Sequence, residues 1–281
     1  MQNPYGNVAL VTGASSGIGK CTAETLAKLG LHVYGASRRG GEPTQHGEGF
    51  VKMLTLDVTS DASVHAAVES VISAEGRIDI LINCAGNGIA GALEDCSGAD
   101  ALSQMDVNYA GVVRVIGAAL PAMRQRRNGL IINVGSVGGI YSVPFQTLYS
   151  SSKYALEALT EGLRIELKAW NIKAALVEPG DVKTGFTAAR IYASGVKNTQ
   201  YGSEFHNSIA QMEHDEQGGK GPETVVAVML KLIKSKNPPV RRVVGAQYRF
   251  FVFLKRLLPA RLVEYIMTGM YPKSGKCYKV E

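Results

Sequence analysis

The 281-residue sequence predicts an α/β fold in which helices cover both faces of a parallel sheet. Short β-branched apolar runs alternate with longer segments of helical periodicity, which is the pattern of βαβ units. Two of the runs, ILIN at 80–83 and LIIN at 130–133, are apolar nearly throughout, as strands buried on both faces are. Hydrophobic residues make up 46% of the chain, which excludes a disordered or fibrous protein.

Strands and helices alternate through the first two thirds of the chain. The strands are predicted at Val8–Thr12, Leu31–Ala36, Phe50–Leu56, Ile78–Asn83, Leu130–Val134 and Ile172–Val177. The helices are predicted at Gly17–Leu29, Ala62–Ala74, Ala99–Arg126 and Thr147–Trp170. We therefore expect a Rossmann-like, doubly wound sheet in a single domain, with its core over 7–184 and ligands beyond the carboxyl ends of the strands.

The pattern is weaker after residue 184. Residues 185–221 mix Gly, Ser, Asn, Gln and His with little periodicity, and they form either a mobile substrate lid or additional helices. Residues 222–281 complete the domain as a C-terminal helical extension. A helix is predicted to begin at Pro222 with Glu223 in its first turn, and a last strand is predicted at Val240–Gly245.

Positive charge is concentrated in this extension. The whole chain has 30 Lys and Arg against 24 Asp and Glu, whereas residues 231–281 alone carry a net +10. From Arg241 to Tyr271, basic and large apolar residues interleave as in an amphipathic helix. Such a helix fits either peripheral contact with an anionic membrane or a substrate pocket with its charges in water. No nucleic-acid-reading motif is present, so we expect no nucleic-acid partner.

The cysteines and histidines show no ligand spacing. The four cysteines form no CxxC pair and the five histidines are scattered, so we expect no metal and a reducing compartment. The N-terminus lacks a basic segment followed by an apolar one, and no stretch reaches the roughly 18 apolar residues of a membrane span. The expected location is cytoplasmic.

A glycine loop follows the first strand. Gly13, Gly17 and Gly19 have the spacing G-x3-G-x-G at the point where the first helix begins. Glycines there allow backbone N–H groups and the helix N-terminus to approach a pyrophosphate. The ordinary alternative is a turn that only packs helix against strand.

The end of the second strand carries positive charge where NAD sites carry an acid. Ser37, Arg38 and Arg39 lie about 20 residues beyond the loop. Guanidinium groups would hold a 2′-phosphate by charge-assisted hydrogen bonds, and Lys20 adds charge nearby. We therefore predict NADP(H) rather than NAD(H); the alternative is a solvated surface pair.

Tyr149 and Lys153 form a YxxxK pattern whose spacing places both on one helix face. Ser136 precedes Tyr149 by 13 positions at the end of the fifth strand, and Asn108 lies on the long helix. Taken singly, each has an ordinary alternative, such as a turn former, a helix kink or an interface aromatic. Hydride addition to a carbonyl needs a proton donor, and a nearby ammonium with a positive nicotinamide would lower the pKa of the phenol toward neutrality.

Together these motifs resemble the classical short-chain dehydrogenase/reductase family. The glycine loop matches the family's TGxxxGxG, and residues 83–86 (NCAG) correspond to its NNAG, with Cys84 in place of the second Asn. Pro179-Gly180 corresponds to its PG motif. The resemblance implies a catalytic tetrad formed by Asn108, Ser136, Tyr149 and Lys153.

The family arrangement gives each of these residues a role. Tyr149 would be the general acid in reduction and the base in oxidation, while Ser136 would hold the substrate oxygen. Lys153 would bind the nicotinamide ribose, Asn108 would position a water that links Lys153 to solvent, and Asp57 would contact the adenine. Cofactor-binding residues are expected at Gly13, Ser15, Ser16, Gly17, Ile18, Gly19, Ser37, Arg38, Arg39, Asp57, Val58, Asn83, Ala85, Gly86, Tyr149, Lys153, Pro179, Gly180, Val182 and Thr184.

The resemblance implies an NADP(H)-dependent oxidoreductase that interconverts a secondary alcohol and a ketone on a hydrophobic, steroid-like or lipid-like substrate. It also implies a homodimer or homotetramer. Two alternatives stay open. One is a reductase of acyl-chain ketones of the acyl dihydroxyacetone phosphate type, and the other is an NADP(H)-sensing regulatory protein without catalysis.

Overall fold

The structure, a computed structural model, describes residues 2–271. Its strands are β1 (Val8–Thr12), β2 (His32–Ser37), β3 (Thr44–His46), β4 (Gly49–Thr55), β5 (Ile80–Asn83), β6 (Ile89–Ala90), β7 (Gly129–Val134), β8 (Ile172–Glu178), β9 (Ile191–Tyr192) and β10 (Arg241–Val243). Its α-helices are α1 (Gly17–Lys28), α2 (Asp61–Glu75), α3 (Gly98–Met105), α4 (Gly111–Arg126), α5 (Thr147–Glu166), α6 (Gly202–Gly218), α7 (Glu223–Ile233), α8 (Ala246–Leu257) and α9 (Ala260–Met270).

The main sheet has eight strands in the order β10-β8-β7-β5-β1-β2-β4-β3. Its ladders are parallel except for the antiparallel pairing of β3 with β4. The strand order reverses between β1 and β5, and a doubly wound sheet binds its ligand beyond the carboxyl ends of the strands at such a point. The short parallel pair β6–β9 lies outside this sheet, and β6 follows β5 in the chain.

Both faces of the sheet are buried under helices. Along β1, Leu10 packs into a cluster with α2, α4 and α5, whereas Ala9 and Val11 pack into a second cluster with α1 and α7. Successive strand residues point to opposite faces, so a strand covered on both sides must be apolar at every position. The predicted α/β fold, with a parallel sheet flanked by helices, is confirmed.

The six predicted strands are confirmed, with bounds that shift by at most two residues, and the expected last strand is β10. Residues 185–221 hold β9 and α6, so they contain additional regular structure. The long helix predicted over 99–126 contains a π-helical turn, Asp106–Ala110, between α3 and α4. That turn has one residue more than an α-helical turn and turns Asn108 inward, fully buried.

The interpretation of Arg241 to Tyr271 as one amphipathic helix is wrong. Residues 241–243 extend the sheet as β10, and the rest forms two helices, α8 and α9. The break falls at Pro259, which immediately precedes α9 and cannot donate a backbone hydrogen bond to a continuing helix. The basic residues of 272–281 and Cys277 lie outside the described residues.

Candidate active site

The glycine loop is packed too tightly for side chains. A Cβ at Gly13 would lie 2.9 Å from the backbone nitrogen of Ala85, and one at Gly19 would lie 2.3 Å from the carbonyl oxygen of Gly13. Gly13 and Gly17 also have positive φ angles, 67° and 52°. The loop therefore brings its backbone to the N-terminus of α1, whose first turn holds no acidic residue, and this arrangement suits an anionic group.

The second cofactor segment lies at the end of β2. The hydroxyl oxygen of Ser37 is buried and has no hydrogen-bond partner in the structure. Arg38 and Arg39 are exposed, and neither forms a salt bridge within residues 2–271. Hydrogen bonds from Thr59, aided by the charge of Arg38, hold the pKa of Asp57 below its usual value. A buried hydroxyl and two free guanidiniums fit a phosphorylated ribose.

The PG turn meets the glycine loop from the other side. A Cβ at Gly17 would lie 3.4 Å from the Cβ of Thr184, so these two predicted cofactor residues are in contact. The ring of Tyr248 from α8 packs on Gly180, where a Cβ would lie 2.2 Å from it. The backbone nitrogen of Asp181 donates to the Tyr248 hydroxyl at 3.1 Å. No sequence motif indicated Tyr248, because 67 residues separate it from Asp181.

Ser136 and Tyr149 converge beside Gly138. A Cβ at Gly138 would lie 3.2 Å from the Tyr149 ring and 3.3 Å from the Ser136 hydroxyl oxygen. Burial raises the pKa of Tyr149 to about 12, and a hydrogen bond with the Ser136 side chain opposes this rise. In the protein without cofactor, desolvation of the phenolate outweighs the charges around it, whereas the expected lowering of this pKa by Lys153 and a positive nicotinamide concerns the cofactor-bound site.

Lys153 lies beneath the phenol, with its Nζ 5.7 Å from the centroid of the Tyr149 ring. Its ammonium donates to the carbonyl oxygen of Val134 at 2.8 Å, and burial lowers its pKa to about 8. A Cβ at Gly86 would lie 3.7 Å from Lys153 Nζ and 3.2 Å from Asn108 Oδ1. The structure thus brings the four tetrad residues to one place at the carboxyl ends of the strands.

Asn108 is held on both sides by the backbone of Asn87. Its Oδ1 accepts from the Asn87 nitrogen at 3.0 Å, and its Nδ2 donates to the Asn87 oxygen at 2.9 Å and to Ser152 Oγ at 3.0 Å. These bonds fix the side chain beside Lys153. The π-helical turn therefore places Asn108 where its side chain holds the Asn87 backbone and Ser152 in position.

Other predicted cofactor residues are placed differently. The side chain of Asn83 points into the core and donates to Asn133 Oδ1 at 2.9 Å, which leaves its backbone for a cofactor. The backbone nitrogen of Ala85 donates to Thr12 Oγ1 at 3.2 Å, which fixes the turn after β5. Among the other predicted residues, Ile18 and Val182 pack against the core cluster of α1, and Val58 packs against that of α4.

The substrate side of the cleft holds a buried ion pair. Arg190 Nη2 donates to both carboxylate oxygens of Glu216, at 2.7 and 2.8 Å, and its Nε and Nη1 have no hydrogen-bond partner. The charges of both residues act on the pKa of Tyr149. Phe186 packs on Tyr149 with ring centroids 5.8 Å apart. Sequence patterns gave no signal for this pair, since 26 residues of weak periodicity separate its members.

Residues 2–271 contain neither a metal-binding cluster nor a membrane-spanning helix. No group of three or more His, Cys, Asp or Glu side chains there could hold a metal ion. None of the helices in that range is long and apolar enough to cross a membrane. Cys21, Cys84 and Cys96 are free thiols.

Known proteins share both the sequence pattern and the fold. A family model for short chain dehydrogenases matches residues 7–193. The chain is 42% identical over 266 residues to a 3-ketodihydrosphingosine reductase of Bacteroides thetaiotaomicron, which covers 94% of this chain and 97% of the relative. It is 34% identical over 286 residues to retinol dehydrogenase 8 of Bos taurus, and the match covers 95% of this chain and 88% of that relative. A short-chain dehydrogenase structure from Streptomyces avermitilis matches with a TM-score of 0.78 at 29% identity, and the match covers 94% of this chain and 97% of that one.

The family match covers the glycine loop, the tetrad and the PG turn that the structure assembles at one edge of the sheet. The chain belongs to the short-chain dehydrogenase/reductase family, as an oxidoreductase that acts on CH–OH groups with NAD or NADP.

Proposed function

We propose that the protein is an NADP(H)-dependent reductase of a ketone on a long-chain lipid, with a substrate of the 3-ketodihydrosphingosine type. The convergence of the Ser136 and Tyr149 hydroxyls above Lys153 carries the reductase assignment. The similarity over nearly the full length of a 3-ketodihydrosphingosine reductase supports the substrate class.

The chain's own residues perform the proton chemistry. Bound NADPH supplies the hydride that the carbonyl carbon receives. Ser136 donates a hydrogen bond to the carbonyl oxygen and stabilises the charge that develops there. Tyr149 donates its proton to that oxygen, and the Lys153 ammonium stabilises the resulting phenolate before solvent restores the proton. Asn108 holds the Asn87 backbone in place beside Lys153.

The 2′-phosphate of NADPH is the ligand that best matches the end of β2. Arg38 and Arg39 have no competing carboxylate in a salt bridge, and Ser37 offers a buried hydroxyl without a partner. A carboxylate at this position would repel a phosphate, and none of these three residues carries one. These observations support NADP(H) over NAD(H).

The charges around the cleft favour a substrate with an ammonium group. Burial raises the pKa of Asp181 at the PG turn, and the charges of Asp215 and Glu216 add to this rise. Arg190 is the cation that forms an ion pair with Glu216. Because Arg190 balances Glu216, the negative charge left near the PG turn comes from Asp181 and Asp215. A 3-ketodihydrosphingosine substrate carries an amine next to its ketone that such carboxylates would attract, whereas a retinoid or steroid carries no such charge.

A carbonyl panel followed by NADPH absorbance tests this function. The panel contains a long-chain 2-amino-3-ketone, its des-amino analogue, an acyl dihydroxyacetone phosphate, a steroid ketone and a retinal. We expect the amino ketone to have the highest kcat/KM. Tyr149→Phe should reduce turnover at least ~1,000-fold while NADPH binding stays within about threefold. Activity confined to the steroid, or retained by Tyr149→Phe, would contradict the proposal.

A further inference from the structure

The outward face of α8 is apolar. Phe250, Phe253 and Leu257 are spaced by three and four residues, so they form one stripe along the helix. Their side chains are 58, 57 and 64% exposed, although each is large and hydrophobic. Of this helix only Val252 is buried. The stripe is therefore a surface that the described part of the chain does not cover.

The next helix in the chain, α9, also has an exposed apolar side. Leu262, Tyr265, Ile266 and Met270 recur at helical spacing on its exposed side, where Tyr265 is 77% exposed. The opposite side of α9 is apolar as well. Val263 and Met267 line a cavity of about 390 Å³ whose other wall includes Pro144 and Thr147, two residues before Tyr149.

Basic side chains border the stripe. Arg249, Arg256 and Arg261 are exposed, and none of them forms a salt bridge in the described residues, where Glu264 is the one acidic side chain of α8 and α9. Lys255 points inward instead, and donates to the Tyr154 hydroxyl at 2.7 Å. An exposed apolar face this large marks an interaction surface. A second copy would bring the same positive charges against it, whereas an anionic lipid surface neutralises them.

We propose that α8 and α9 lie on an anionic lipid bilayer, with the aromatic and aliphatic stripe in the headgroup region and the arginines on the lipid phosphates. Neither helix is long enough to span, and both have the pattern of helices that lie in the interface. In this position the cavity between α9 and the start of α5 opens next to the lipid. The surface is a property of the folded protein and does not rest on the proposed function.

Co-sedimentation with vesicles tests the surface directly. Vesicles of phosphatidylcholine alone are compared with vesicles containing one quarter phosphatidylglycerol. We expect binding to the anionic vesicles and its loss at high salt. Phe253→Ser/Leu257→Ser should weaken binding at least roughly tenfold, and Arg249→Gln/Arg256→Gln roughly thirtyfold. Reduction of a water-soluble ketone should remain unchanged in both double variants.

Matched controls separate this surface from general effects. Leu102→Ser removes a leucine that is 74% exposed on α3, and Lys28→Gln/Lys231→Gln removes two exposed cations outside α8 and α9. Both controls should bind as the unmodified protein does. Binding that is equal on neutral vesicles, or lost equally in the controls, overturns the proposal. So does unchanged vesicle binding by Phe253→Ser/Leu257→Ser accompanied by a smaller oligomer, because the stripe is then a contact between copies.

Discussion

Tyr149 and Lys153 have opposite pKa shifts that arise from the same cause. Burial disfavours the charged form of each group, so it raises the pKa of the phenol to about 12 and lowers that of the ammonium to about 8. Tyr149 consequently keeps its proton over the physiological range. The unliganded site is prepared to donate a proton, which suits reduction of a ketone.

These shifts predict the pH dependence of both directions. At saturating NADPH, kcat/KM for ketone reduction should be constant from about pH 6 to about pH 7 and then fall, reaching about half near pH 8, as Lys153 loses its proton. Alcohol oxidation should rise with pH, because Tyr149 must first become the phenolate. Initial rates in both directions across pH 6–10 measure this. A reduction rate that climbs through pH 8 would contradict the assignment of Tyr149 as donor.

Cofactor choice should depend on the two arginines after β2. We expect Arg38→Gln/Arg39→Gln to raise KM for NADPH roughly 100-fold, since two charge-assisted contacts to the 2′-phosphate are lost, while KM for NADH changes little. Lys28→Gln, which removes an exposed cation from the last turn of α1, serves as a control for general charge loss. An equal rise in KM for both cofactors would show that the arginines do not bind the 2′-phosphate.

The site residues that could be predicted from the sequence belong to short local motifs. Glycine spacing, YxxxK and the serine after a strand are local patterns, and the fold brings them together at one sheet edge. Arg190, Glu216 and Tyr248 were missed because each acquires its role from a partner far away in sequence. The inward turn of the Asn83 side chain was also unpredictable, since it depends on Asn133 in the neighbouring strand.

Among the elements, α5 is tied to the sheet by a buried polar chain. Asn83 donates to Asn133, Asn133 donates to Thr160 Oγ1 at 3.0 Å, and Thr160 donates to the Leu156 oxygen at 2.7 Å. All three polar side chains are at most 2% exposed. The chain spans β5, β7 and α5, and α5 carries both Tyr149 and Lys153.

Asn133→Leu should therefore destabilise the protein by about 2–4 kcal/mol, because it leaves the buried Asn83 amide without an acceptor and removes the hydrogen bond that the Thr160 hydroxyl accepts. Thr160→Val leaves the Asn83–Asn133 hydrogen bond intact and takes the acceptor from the Asn133 amide, so it should cost about half as much. Urea unfolding measures both free energies. A loss below about 0.5 kcal/mol for Asn133→Leu would show that the network contributes little.

Elements with strong apolar periodicity were predictable, and a short polar strand was not. The strands buried on both faces appear as apolar runs, which makes them visible in the sequence. By contrast, β3 (TQH) is polar and mostly exposed, and it forms only because a turn at Gly47 returns it antiparallel to β4. The division of the extension at Pro259 could have been anticipated from the missing N–H of proline.

For the molecule as a whole, a buried acidic pair joins the sheet to the C-terminal extension. Glu178 at the end of β8 is fully buried, and burial together with Glu157 raises its pKa well above the usual value. Arg241 of β10 forms a salt bridge with Glu157 at 2.9 Å. The folded protein thus holds a proton on this pair that the unfolded chain releases.

Such a pair makes the protein less stable as pH rises. Above the ordinary carboxyl pKa of 4.5, the folded state binds one proton more than the unfolded state, so the free energy of unfolding falls with increasing pH. Glu178→Gln lacks this titration. Between pH 5 and pH 8 we expect the unmodified protein to lose roughly 1–3 kcal/mol relative to Glu178→Gln.

Thermal unfolding of the two proteins across that pH range checks this expectation. Glu161→Gln is the matched control, because Glu161 also pairs with Arg241 but is 55% exposed on its side chain. Its pH dependence should follow that of the unmodified protein. Parallel curves for Glu178→Gln and the unmodified protein would show that the buried pair carries no extra proton.

The contact of Tyr248 with Gly180 and Asp181 has a thermodynamic consequence. Because this ring from α8 packs directly on the PG turn, a displacement of α8 also displaces the backbone at the nicotinamide end of the cofactor site. A ligand of the outer face of α8 that displaces this helix would then be energetically linked to the cofactor. Linkage is reciprocal, so NADPH must change the affinity of that face for its ligand by the same factor as the ligand changes the affinity for NADPH.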